Sequence, residues 1–408
     1  MTRKLMNINF FLLWQGKLVS ALGDVVYEIA LGFWILKVTG STALMGSLMA
    51  ASAIPTVILS PFAGVWVDRL DRKWLIVAMD IMRGAAVVLV GVAAISGHLM
   101  VWMVFAAGIV IGLGAAFFNP AVNSVIPDLV EKEDNVRANS FISMTQTGSN
   151  IVGSTAGGFL YNLLGAPLMF LLNGISYLFS AFTEIFMSVP KVHHPEGKKH
   201  FWHDMKDGLG FAWSIKGLRL LFVIAGFLNF FAFVAIILVL PLFQKSPELG
   251  PVKYGIAMAG LTTGMFAGML FTAIVHIAPE KRFFLFGLGL FSMSIFWALF
   301  PLWKDVLLMI LLLFTGGFFN SIVNVLINSV IQLRVPQNMR GKVFGFLNTL
   351  STSLTPIAMA TGGILGEFFP IKYVISLSFL MIGIFSIPLV FSRSLKEFIS
   401  YQEVETEK

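Results

Sequence analysis

Twelve stretches of about twenty apolar residues, each long enough to cross a bilayer, divide this chain. No other feature restricts its fold so severely. They fall at 8–37, 42–68, 74–97, 100–127, 136–165, 167–189, 217–244, 252–278, 282–303, 305–333, 342–369 and 371–391. Of the residues, 57% are hydrophobic and 12% charged, whereas a soluble domain has roughly 45–50% and about 25%. The chain therefore reads as an all-α polytopic membrane protein. Spans 5 and 6 are joined only by LLGAPL, and spans 11 and 12 only by FFPIKY, which predicts tight antiparallel hairpins. One long polar connection, beginning PKVHHPEGKKHFWHDMKDG, splits the twelve into two sets of six. The expected organisation is a six-helix bundle over 1–190, a linker over 191–216, a second bundle over 217–391 and a cytoplasmic tail over 392–408.

The first apolar run is too long for the core of a cleavable signal and lacks a small-residue cleavage site, so it is expected to remain as a span. Without cysteine, the chain has no disulfide, thiol nucleophile or cysteine-bound metal. Its six histidines are scattered rather than set at ligand spacing. No nucleophile, base or metal constellation suggests an enzyme, and no cofactor is expected. The net charge of +7 is spread through short loops rather than gathered in one basic domain, so no nucleic-acid partner is expected.

The placement of those charges speaks to topology. With both termini inside, 21 of the 28 Lys and Arg fall in cytoplasmic segments and five outside, leaving Lys17 and Arg83 within spans. This bias is the positive-inside pattern. In the linker, Phe201, Met205, Leu209 and Trp213 recur every four residues among charges, which predicts an amphipathic helix at the cytoplasmic interface.

The two sets of six spans also repeat. FFNPAVNSVIPDL from Phe117 aligns with FFNSIVNVLINSV from Phe318, Arg137 with Arg340 and Phe141 with Phe344. The offset equals six spans, so the repeat is parallel and implies two pseudo-symmetric bundles related by an axis along the membrane normal.

Charges within spans need a compensating reason, since an acid at a helix centre costs about 2.5–3.5 kcal/mol on insertion scales. Lys17, Ser20, Asp24, Tyr27, Glu28 and Leu31 lie within roughly 100° of one another on the first span. Asp24 is near mid-depth, with Glu28 about 6 Å further out and Lys17 about 10 Å further in. Lys17 is expected to snorkel inward. Two carboxylates one turn apart disfavour simultaneous ionisation, which makes Asp24 or Glu28 a usable proton carrier. Glu184, about one turn from the inner end of span 6, is the third candidate. Span 3 carries Asp80 and Arg83.

Between spans 2 and 3 the chain reads GVWVDRLDRKWL. Asp68 stands at the end of span 2, with Arg69, Arg72 and Lys73 in the short turn. Gly64, Asp68, Arg69, Arg72 and Lys73 match the loop signature of the major facilitator superfamily, although Asp71 occupies a position where Gly is usual. With NPAVNSVIPDLV, RANSF and RGKVF, the chain resembles the macrolide efflux and drug:proton antiporter branch of that superfamily.

The resemblance implies a major facilitator fold in a bacterial cytoplasmic membrane, with spans 1, 4, 7 and 10 lining a central cavity. Tyr27, Asn119, Asn123, Asn150, Asn229, Asn320 and Asn324 are the polar residues it offers as substrate contacts, with Asn328 on the same face as the last two. Gly148, Gly153, Gly157 and Gly158 resemble an antiporter motif, with Ser154 where Pro is usual; such spacing also suits close helix packing. Ser143, Thr147, Asn150 and Ser154 share a face. The expectation is a monomeric secondary transporter exporting amphiphilic, drug-like or macrolide-like molecules in exchange for protons, by alternating access. Gly64, Asp68, Arg69, Arg72 and Lys73 would form a conformational latch. A carrier of a lipid-like or siderophore-like metabolite is the alternative within transport, and a receptor or scaffold the alternative outside it.

Overall fold

The structure is a computed structural model, and it describes all residues except 1–5, 68–69, 190–209, 211–212, 276, 337–342, 344–346, 348 and 401–408. Among the described residues it is helical throughout: α1 (Ile8–Thr39), α2 (Thr42–Val67), α3 (Arg72–Ile95), α4 (Val101–Leu129), α5 (Asn135–Glu184), α6 (Lys216–Lys245), α7 (Gly250–Ile274), α8 (Pro279–Leu299), α9 (Val306–Arg334), α10 (Thr355–Phe368), α11 (Ile371–Val390) and α12 (Arg393–Ile399). Ten helices are long and apolar enough to cross a membrane. The exposed positions on them include Leu89, Trp102, Leu163, Phe284 and Leu311, side chains that a bilayer covers and water does not. The protein is a multi-pass membrane protein.

The helix ends follow from local chemistry. Asn7 caps α1 by accepting from the amides of Asn9 and Phe10, both at 3.1 Å, while its own amide donates to the Leu129 carbonyl at 2.8 Å, at the end of α4. Asp71 caps α3 by accepting from the Trp74 amide at 3.2 Å. The aspartate that departs from the loop signature thus supplies the acceptor a helix start needs.

Spans 5 and 6 run on as α5, which breaks at Gly165, where φ is 72° and ψ 166°. Only glycine adopts that conformation without strain, and Pro167 begins the second arm just after it. Gly165→Ala is expected to cost about 1–3 kcal/mol, readable as a lowered thermal midpoint of the purified protein. The eleventh span departs from the single helix expected over 342–369. Its described residues turn at Leu354, and α10 starts afresh at Thr355 with Pro356 in its first turn. Proline lacks the amide that would continue the ladder and is tolerated at a helix start.

The chain forms two compact units, Met1–Gly197 with Gly250–Gly255, and Lys198–Leu249 with Ile256–Lys408. In the first, α1 lies along α5, α3 packs against α4 and α5, and α2 against α4. Thr56 of α2 donates to the Gly112 carbonyl of α4 at 2.9 Å. An apolar core at one end gathers Phe10, Leu13, Val67, Ile76, Phe118 and Ile126. In the second unit, α6 packs against α10 and α11, and α8 against α9 and α11. There Trp297 of α8 lies against Gly316 of α9, and its ring centroid is 5.3 Å from that of Phe379 on α11.

Candidate functional site

The first unit holds a cluster of ionisable and polar side chains that its helices carry deep into the fold. Asp24 of α1 accepts a hydrogen bond from the Tyr177 hydroxyl of α5. Arg83 of α3 pairs with Asp80, one turn earlier on the same helix. Its guanidinium carbon lies 4.4 Å from the Tyr177 ring centroid and 4.3 Å from that of Phe118 on α4, a cation–π arrangement. Gly114 of α4 admits the Arg83 stem, since a Cβ there would come within 2.6 Å of it.

Along α5, Glu184 accepts from Ser180 at 3.2 Å, and Ser180 also stands beside Asp80. The seven residues from Tyr177 to Glu184 rise about 10 Å along the helix, so the cluster is a column rather than a point. Asp80 and Glu184 are 0% exposed and Arg83 is 4%. At that depth an uncompensated charge is expensive.

The predicted stripe on the first span divides. Asp24 is half-buried within the cluster, whereas Glu28 is exposed and has no hydrogen bond among the described residues. Tyr27 is buried, with its ring 5.3 Å from that of Phe170 and its hydroxyl without a partner. Lys17 does not snorkel to the membrane edge as expected. Its ammonium donates to Asn119 of α4 at 3.3 Å and lies 5.4 Å from the Phe118 ring, because α4 offers an acceptor at the same depth.

The other predicted contacts are not brought together in this cluster. Asn123, Asn150 and Asn328 are exposed. Asn229 donates at 2.9 Å to Ala225 of its own helix. Asn324 is exposed and donates to Asn320 one turn back, and Asn320 approaches the Met293 sulfur at 3.5 Å. Of the small residues in the first arm of α5, Gly153 and Gly157 lie against Val25 and Ile29 of α1, and so they serve close packing. In the loop, Asp68 and Arg69 lie outside the described residues, as does most of the linker helix expected around 201–213. Gly64 lies within α2. Arg72 pairs with Asp128 of α4 at 2.7 Å, and Lys73 stacks 5.3 Å from the Trp74 ring.

Sequence reasoning assigned no role to Asp80, Arg83, Tyr177 or Ser180. A signal was present for two of them: opposite charges three residues apart within an apolar span are a pair on one helix face. Tyr177 and Ser180 carry no such mark, and only the return of α5 onto α1 and α3 reveals them.

The Major Facilitator Superfamily family model matches residues 13–359. Macrolide efflux protein A of Streptococcus pyogenes is 25% identical over 391 residues, covering 92% of this chain and 93% of that protein. The multidrug efflux pump Tap of Mycobacterium bovis (strain BCG / Pasteur 1173P2) is 27% identical over 375 residues, covering 86% of each. Among solved structures, the nucleoside transporter NupG superposes with a TM-score of 0.70 at 13% identity, covering 97% of this chain and all of that one, a likeness of fold. With its twelve spans, its parallel repeat and a family match over most of its length, the chain belongs to the Major Facilitator Superfamily of membrane transporters.

Proposed function

We propose that this transporter exports amphiphilic small molecules across the bacterial cytoplasmic membrane in exchange for protons, with Asp24 as the principal coupling acid. The observation that carries the reading is Asp24 itself, a carboxyl near mid-span held by Tyr177 and set within range of Arg83 and Lys17. An acid there is costly unless it works. Glu28, one turn further out and exposed, is the proposed entry point for the proton, and Glu184 the exit. The relatives named for macrolide and multidrug efflux span most of the chain, which supports outward transport of bulky, partly apolar molecules.

The mechanism follows from differential affinity, since a bound proton shifts the equilibrium between two states only if it binds them unequally. Protonation of Asp24 removes its charge from the field of Arg83, and the first unit then favours a different arrangement of its helices. Asn119, Asn123, Asn150, Asn229, Asn320, Asn324 and Tyr27 are the proposed polar contacts for substrate. Gly64, Asp68, Arg69, Arg72 and Lys73 are proposed as a latch, which the Arg72 pair to Asp128 anchors on α4. The distribution of basic residues supports a cytoplasmic side for both termini.

The test is a susceptibility and accumulation panel in an efflux-deficient bacterial host expressing the full chain, with macrolides and ethidium as probes. The expected result is a several-fold rise in resistance to at least one compound, with lowered accumulation that a protonophore abolishes. Unchanged resistance and accumulation across the panel, with the protein present in the membrane, would overturn the proposal.

A further inference from the structure

The first unit contains more buried acid than one coupling carboxyl requires. Asp24, Asp80 and Glu184, with Glu28 one turn outward of Asp24, face two cations, Arg83 and Lys17, across the interfaces of α1, α3 and α5; among the described residues α4 adds Phe118 and Asn119. The cluster thus holds more acids than cations. Three of its polar atoms are buried without a partner: Asp80 Oδ2, Arg83 Nε and Glu184 Oε2.

The second unit shows that helices packed this way need no charge at all. Where α3 presents Arg83 to Gly114 and Tyr177, α8 presents Trp297 to Gly316 and Phe379. Three residues before Trp297, as Asp80 precedes Arg83, stands Ser294, which donates to the Phe379 carbonyl at 2.5 Å. Seven residues after Phe379, as Glu184 follows Tyr177, stands Ser386, which donates to the Gly383 carbonyl at 2.6 Å. The same architecture closes on an indole and two hydroxyls. Burying an ion pair in place of such residues is generally neutral or costly, so packing does not account for the charges of the first unit.

We propose that Asp80, with Glu184 behind it, is a second proton-binding site, and that Arg83 is a counter-ion shared between Asp80 and Asp24. A proton arriving on the Asp24 carboxylate makes it a neutral acid and leaves Arg83 to Asp80 alone. Asp80 then yields the proton it held to the Ser180 hydroxyl oxygen as that hydroxyl passes its own proton to Glu184. Glu184 in turn releases one proton. One proton enters and one leaves, and only O–H bonds form and break. Ser180 is placed for this because it donates to Glu184 and stands beside Asp80, so that rotation about its Cα–Cβ bond offers it to either acid.

The functional meaning rests on proton-coupled transport, but the site itself can be observed without substrate or gradient. Infrared difference spectra of the purified full-length protein, titrated with pH in H2O and D2O, read the C=O stretch of protonated carboxyl groups directly. In the wild type a buried carboxylic acid band is expected that Asp80→Asn removes, and a second that Glu184→Gln removes. In Asp24→Asn, where Arg83 has one acid fewer to serve, the Asp80 band should titrate with a midpoint moved by about one pH unit or more, as coupled sites do.

The Asp80→Ser/Arg83→Trp double variant, built on the pattern of the second unit, should fold, lack the Asp80 band and leave the Asp24 titration independent of the Glu184 one. An Asp80 band absent from the wild type, or unmoved by Asp24→Asn, overturns the proposal whatever the transport panel shows. A double variant that fails to fold overturns the argument that packing does not need these charges.

Discussion

Everted membrane vesicles carrying Asp24→Asn are expected to lose proton-driven ethidium accumulation down to the level of vesicles without the protein, while downhill movement of ethidium persists. The substitution is nearly isosteric, and the amide oxygen can still accept from Tyr177 as the carboxylate does, so the helices have no reason to separate. What disappears is a group that gains and loses charge. Glu28→Gln should have a smaller effect, a few-fold fall in rate, because Glu28 is exposed and makes no hydrogen bond among the described residues. Undiminished accumulation in Asp24→Asn, or a larger loss in Glu28→Gln, would transfer the coupling role away from Asp24.

Arg83→Ala is expected to be the most destabilising single change in the first unit, by about 3–5 kcal/mol, the range for removing one partner of a buried ion pair. The guanidinium pairs with Asp80 and packs on two aromatic rings, so its loss leaves Asp80 without its counter-ion and opens a void beside Gly114. Thermal unfolding of the purified protein in detergent gives the measurement. Arg83→Lys should recover only part of the loss, because an ammonium lacks the flat face that stacks on Phe118 and Tyr177. Combining Arg83→Ala with Asp80→Ala should be less harmful than Arg83→Ala alone, since the acid leaves with its counter-ion. A double variant as unstable as the sum of the two single ones would mean that the pair contributes nothing to stability beyond shape.

Those two residues show where a linear reading succeeds and where it stops. The spans, the hairpin at Gly165 and the special status of Asp24 follow from local rules: run length, the conformational freedom of glycine and the cost of an acid among apolar neighbours. Lys17 obeyed a local rule in the reading and a tertiary one in the fold, because nothing in its own span reveals that Asn119, 102 positions away, offers an acceptor at its depth. Tyr177 meets Asp24 across 153 positions, a separation no periodicity encodes. The Asp80 and Arg83 pair was legible in principle, but the tally of basic residues that orients the chain treats Arg83 as an exception to be set aside.

That pair also bears on how the protein enters the membrane. Asp80 and Arg83 sit one turn apart on a single helix, so α3 reaches the bilayer with its two charges already matched, at a cost below that of separate ions. The second arm of α5, over 166–184, holds Glu184 and no basic residue at all. During synthesis it can settle only as a neutral acid or beside a helix that is already seated. Ribosomal order delivers α3 first, and so Asp80 and Arg83 are made before Glu184 joins them.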